Sequence, residues 1–155
     1  MFKKVNPHPE GKLVGDCVKR ACCLASGINY HDIAIMLNRF RKISGGKKFN
    51  SNDNWKPFVE KVLLGCKDPD DMRFAFYGHR YTVEDYADTH NYRYILRCSK
   101  HLVASVHGDY LDTWDSGYKS VYIAYELPSY YLIINHIKNN YPELCKGLNL
   151  ERIHL

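Results

Sequence analysis

Apolar residues Val18, Ala21, Cys22 and Ala25 recur at three- and four-residue steps, the spacing that lines one face of a helix. Asp16 before this run suits an N-cap and Gly27 after it a C′ position, so the pattern predicts a first helix between them. A second starts near Asn29, carries Ile33, Met36, Leu37 and Phe40 on one face, and ends before Gly45 and Gly46. Trp55, Phe58, Val59 and Val62 predict a third over 55–64, with Pro57 tolerable in its first turn. Thr82 followed by Asp85 resembles a capping pair and predicts a short helix over 83–88. The period then changes. Tyr92 to Leu96, His101 to Val106, Tyr110 to Trp114 and Ser120 to Glu126 are aromatic and β-branched runs separated by Ser99, Gly108 and Gly117, and they predict an antiparallel meander. After Pro128, the spacing of Tyr131, Ile134, Ile137, Lys138 and Tyr141 predicts a closing helix. Residues 2–15, with Pro7, Pro9, Gly11 and Gly15, read as an extended lead-in, and 44–54 as a surface loop. Helices followed by strands give an α+β fold: N-terminal helices, a β-meander and a C-terminal helix.

The chain of 155 residues is 45% apolar and 25% charged, the proportions of one globular domain covering 1–155. Its longest apolar runs, such as Tyr130 to Ile134, fall far short of the ~20 residues that span a bilayer, and no apolar run follows the basic residues at the start. The expectation is therefore a cytoplasmic protein with no membrane partner. Six cysteines without a CxxC pair are expected to be reduced thiols. The cysteines and histidines lack zinc-site spacing, so neither a metal nor an organic cofactor is expected. Lys plus Arg exceed Asp plus Glu by 22 − 17 = 5, a mildly basic balance. Arg39, Arg41, Lys42, Lys47 and Lys48 concentrate that charge, with Phe40 and Phe49 available for stacking. They form one short cluster without a recognised motif, so they read as a solvated face and a nucleic-acid partner is not expected.

Cys17 is the residue with the most chemistry to offer. It falls in the first turn of the first helix, where unsatisfied N–H groups and the positive end of the helix favour a thiolate. The alternative is packing, the usual fate of a free cysteine, and Cys22 and Cys23 read that way. A nucleophilic thiolate needs a base and the base an orienting group. Among eight histidines His101 stands out, because it opens the strand HLVASV, whose partner YLDTWDS carries Asp112 and Asp115. If His107 and Gly108 form a tight type I′ turn, Val106 faces Asp109, Val103 faces Asp112, and His101 and Asp112 become diagonal neighbours on one face. A three-residue turn through Asp109 would set Asp115 opposite His101 instead. Histidine and glycine tolerate the positive φ of the tighter turn, which favours Asp112. In that register Trp114 lies across from His101, either shielding it from water or as a plain cross-strand contact.

The strings GDCVKRA, TVEDYA, HLVASV and DTWDS, in this order, resemble small papain-like cysteine peptidases, especially short ones of bacteriophages and their hosts. The resemblance implies a papain-like fold and Cys17 as nucleophile, His101 as general base and Asp112 as its orienting residue, acting on a protein or peptide substrate. The order Cys, His, Asp is similar to that of transglutaminases too, and CVKRA resembles the cysteine box of ovarian-tumour-type deubiquitinases. Papain-like enzymes place a glutamine before the cysteine to stabilise the oxyanion, and this chain has no glutamine. Asn6, or less favourably Lys12, is the replacement candidate, beside the backbone N–H of Cys17. A catalytically inactive protein-binding module on the same fold, with a tyrosine-rich surface, is the alternative.

Overall fold

Strict alternation runs through the sheet strands. Ile95, Leu102, Ala104, Leu111, Tyr125 and Leu127 enter one apolar cluster, while Tyr94, Leu96, Val103, Tyr110 and Ala124 enter another. Successive side chains of a strand point to opposite faces, so these are the two sides of one sheet, each covered. The computed structural model describes residues 1–45 and 52–155, which form six α-helices and a six-stranded mixed sheet. The α+β expectation holds at that level.

The elements run β1 (Phe2–Lys4), α1 (Cys17–Ser26), α2 (Tyr30–Ser44), α3 (Asn52–Pro57), β2 (Cys66–Lys67), α4 (Val83–Thr89), β3 (Arg93–Cys98), β4 (His101–Val106), β5 (Asp109–Asp112), β6 (Ile123–Leu127), α5 (Tyr130–Asn140) and α6 (Pro142–Cys145). Strand order is β1-β5-β4-β3-β6-β2. Three consecutive antiparallel strands match the meander, but the fourth does not continue it. β6 returns to lie beside β3, the spatial order of a Greek key. It also starts later than expected, at Ile123, while Ser120 forms an isolated bridge to Thr82.

The lead-in is only partly irregular. Phe2, Lys3 and Lys4 pair in parallel with Tyr110, Leu111 and Asp112, a strand too short to show a periodic pattern. The third helix also differs from its expectation. Regular α-helix begins at Asn52 and reaches only Pro57, after which Phe58–Val62 form a π-helical turn. Pro57 withholds an N–H, and just beyond it the ladder widens: Leu63 N donates to Phe58 O, five residues back, at 3.2 Å. Most of the 44–54 segment expected as a loop, with Lys47, Lys48 and Phe49, lies outside the described residues. Ser44 closes α2 and 52–54 open α3.

α1 lies along β4 and α2 along α1. Gly27 adopts φ 82°, the left-handed conformation that closes α1, and its N–H reaches Cys23 O. Asn29, Thr82 and Ser129 cap α2, α4 and α5 through their side chains. Phe40 is buried against Phe58, with ring centroids 5.7 Å apart, so it belongs to the core and offers no stacking surface. Among the described residues no helix is long and apolar enough to cross a membrane.

Candidate active site

The β4–β5 hairpin sets the geometry. Val106 pairs with Asp109, Ser105 with Tyr110 and Ala104 with Leu111. His107 and Gly108 both take positive φ, 52° and 88°, as a two-residue type I′ turn requires. Within this register His101 and Asp112 become diagonal neighbours, and His101 Nε2 lies 2.6 Å from Asp112 Oδ2. Both are buried, Asp112 almost completely. The tight turn therefore excludes Asp115 as the partner of His101. Asp115 instead accepts hydrogen bonds from the Tyr110 hydroxyl at 2.6 Å and the Gly117 amide at 3.0 Å, stabilising the turn after β5.

Cys17 opens α1, and α1 packs on β4, which brings the thiol to the first residues of that strand. Cys17 is half-buried and hydrogen-bonded to the His101 side chain and the Leu102 amide. Nε2 of the imidazole is engaged with Asp112, which leaves Nδ1 for Cys17. Burial pushes the thiol up, but these hydrogen bonds and the positive charges of His101 and Arg20 bring it below the ordinary thiol range. Burial also opposes the imidazolium, yet the bonds to Asp112 and Cys17 and their negative charges raise His101 to about 9. Cys22 and Cys23 are both fully buried, and burial raises both, the latter to about 12.

No protein-family model, no curated protein and no solved structure matches this chain.

Behind the three residues stands a polar network. Asp112 accepts from the Thr113 amide at 2.8 Å and the Ser116 hydroxyl at 2.7 Å. Arg20 Nη2 lies 3.7 Å from its other carboxylate oxygen. Arg20 also forms a close ion pair with Asp16, and the Tyr30 hydroxyl donates to Asp16 at 2.6 Å. All of these charges are buried. Asp16 was expected to cap α1, but its side chain makes no capping bond and is committed to Arg20 and Tyr30. The start of α1 is thus left without a carboxylate drawn over its N–H groups, which would have opposed a thiolate there.

Asp16 and Arg20 stand four residues apart with opposite charges, a helical pairing readable in the sequence. Ser116, four residues after Asp112, and Tyr30, on another helix, carry no comparable signal. Trp114 lies beyond the end of β5 with its ring 4.9 Å from the His101 ring, and Lys119 Nζ stands 6.0 Å from the indole. Asn6 holds the lead-in together: its amide donates to Lys12 O at 3.1 Å and its oxygen accepts from the His8 amide at 3.1 Å. Among the described residues no group of three or more His, Cys, Asp or Glu side chains could hold a metal ion.

Proposed function

We propose that this protein is a papain-like thiol hydrolase or acyl transferase that cleaves a peptide, isopeptide or related amide bond. The observation that carries the reading is the relay itself: His101 is held on one side by Asp112 and hydrogen-bonded on the other to a thiol at a helix start. Thiol below its ordinary range and imidazole above it together favour a thiolate–imidazolium pair near neutral pH.

In this mechanism the Cys17 thiolate attacks the substrate carbonyl, forming a C–S bond and placing charge on the carbonyl oxygen. Backbone N–H groups at the start of α1 are the donors suited to that oxygen. The His101 imidazolium gives its proton to the leaving amine as the C–N bond breaks, leaving a thioester on Cys17. Neutral His101 then removes a proton from water, or from an acceptor amine, whose attack releases the acyl group and restores the thiolate. Asp112 fixes the ring orientation and stabilises the imidazolium throughout. Trp114 covers part of the imidazole and limits its access to bulk water.

Two measurements on the same protein test this: the pH profile of iodoacetamide labelling at each cysteine, and the burst of nitrophenolate released from p-nitrophenyl acetate. The expected result is that Cys17 labels faster than the other five and forms an acetyl-enzyme. His101→Ala should lower both rates by roughly 10²–10⁴. Labelling of Cys17 at the rate of an ordinary thiol, with no acylation in the wild type, would overturn the proposal.

A further inference from the structure

The end of the sheet away from Cys17 carries a second concentration of charge. Pairing of β3 with β4 sets Cys98 against His101 at one end and Arg93 against Val106 at the other. At ~3.4 Å per residue these ends lie roughly 17 Å apart. α1 spans the same interval, from Cys17 to Gly27.

At this far end Arg93 separates two hollows. The smaller, about 380 Å³, is bordered by Leu24, Gly27, Arg93, His107, Arg152 and His154. The larger, about 520 Å³, shares Arg93 and His107 and continues along Tyr92, Leu127, Pro128 and Leu132. Arg93 and His107 thus stand at the junction of the two hollows, and Arg152 and His154 border the smaller one. No Asp or Glu lines the smaller hollow, which Ile153 and the last residue, Leu155, also border. Glu126 borders the larger one, and the C-terminal turn of α1 at Gly27 approaches Arg93 from the other side.

Arg93 is half-buried, and among the described residues its guanidinium has neither a hydrogen bond nor an ion pair. Burial, with Arg152 adding repulsion, holds it below the usual arginine range. Arg152 is fixed in place: its guanidinium lies 5.5 Å and 5.4 Å from the Tyr130 and Tyr131 ring centroids and donates to the Tyr131 hydroxyl at 3.3 Å. Arg93 is half-buried and Arg152 exposed on the wall of the same hollow, so an anion seated there meets both guanidinium groups and gives the unpaired Arg93 a counter-charge. The fork geometry of guanidinium suits the paired oxygens of carboxylate and phosphate.

We propose that Arg93, Arg152, His107 and His154 form a binding site for a small organic anion, a carboxylate or phosphate whose apolar body lies along Tyr92, Leu127 and Leu132. This site is independent of the thiol chemistry at the other end of α1.

Calorimetric titration of the full chain with phenyl phosphate, benzoate and inorganic phosphate, at low ionic strength, tests it. Saturable binding of phenyl phosphate or benzoate is expected, the tighter of the two identifying the preferred head group, and inorganic phosphate should bind more weakly than phenyl phosphate. Arg93→Met and Arg152→Met should each weaken the organic anion at least about tenfold, while circular dichroism reports an unchanged fold. In anion-free buffer Arg93→Met should melt above the wild type, because it removes an unpaired, half-buried cation. The proposal is overturned if neither organic anion saturates by ~10 mM, if both variants bind as the wild type does, if inorganic phosphate matches phenyl phosphate, or if Arg93→Met melts no higher.

Discussion

His101 carries the largest pH signature in the relay. Its imidazole is raised from the ordinary histidine value to about 9 in the folded protein. The stabilisation it contributes is therefore fully present below the unfolded value of about 6.5 and lost as pH rises through about 9. Cys17 works in the opposite sense: lowered on folding, it stabilises above the ordinary thiol range and loses that contribution as pH falls through its folded value. In a Cys17→Ser background, where the opposing thiol contribution is absent, urea titrations should show stability declining above pH 7 more steeply with His101 present than in His101→Ala. Asp112→Asn should shift the alkaline limb of Cys17 labelling downward, since the imidazolium loses its carboxylate, whereas Asp115→Asn should leave it unmoved. Equal shifts in both variants would contradict the register. This part of the site was legible in the sequence, because a two-residue turn at His107 and Gly108 fixes which carboxylate meets the ring. Asp16 was legible as a capping residue and, by its spacing, as a partner of Arg20. Its commitment to Tyr30 depends on how two helices pack, and no local pattern announces that.

α1 does more than carry the thiol. Three residues after Cys17, Arg20 places a buried cation between Asp16 and Asp112, tying the helix start to the hairpin that holds the imidazole. Arg20→Met would leave two buried carboxylates facing each other without their cation, and breaking such a pair costs about 3–5 kcal/mol. Chemical denaturation should show that loss. The labelling profile of Cys17 should also shift to higher pH, because Arg20 contributes to the lowered thiol. Asp16→Asn combined with Arg20→Met should recover part of the stability but not the labelling profile, which separates packing from charge. Helix positions followed from apolar spacing at α1, α2 and α5, and from the Thr82–Asp85 capping pair at α4. They failed around Pro57, because the widening into a π-turn depends on a missing N–H and leaves the apolar pattern unchanged. β1 and β2, of three and two residues, are too short to establish any period.

Across the whole molecule, the sheet order was the least legible feature. Each run from Tyr92 onward reads as a strand, but a strand's sequence does not say which neighbour it pairs with. Only the hairpins at Lys100 and His107, both with positive φ, fix theirs locally. β6 had to be placed by its fit against β3, and β1 by pairing in parallel with β5, where the Val5 amide donates to Asp112 O at 2.9 Å. The same distinction between local and remote contacts orders events in time. His101 and Asp112 belong to one tight hairpin, whereas Cys17 reaches them only when α1 closes a loop of more than half the chain, and loop closure of that kind slows folding. The thiol is thus a clock for the last long-range docking step. In refolding from urea, brief iodoacetamide pulses should find ordinary reactivity at Cys17 while β-sheet circular dichroism is already recovering, and enhanced reactivity only with the slowest phase.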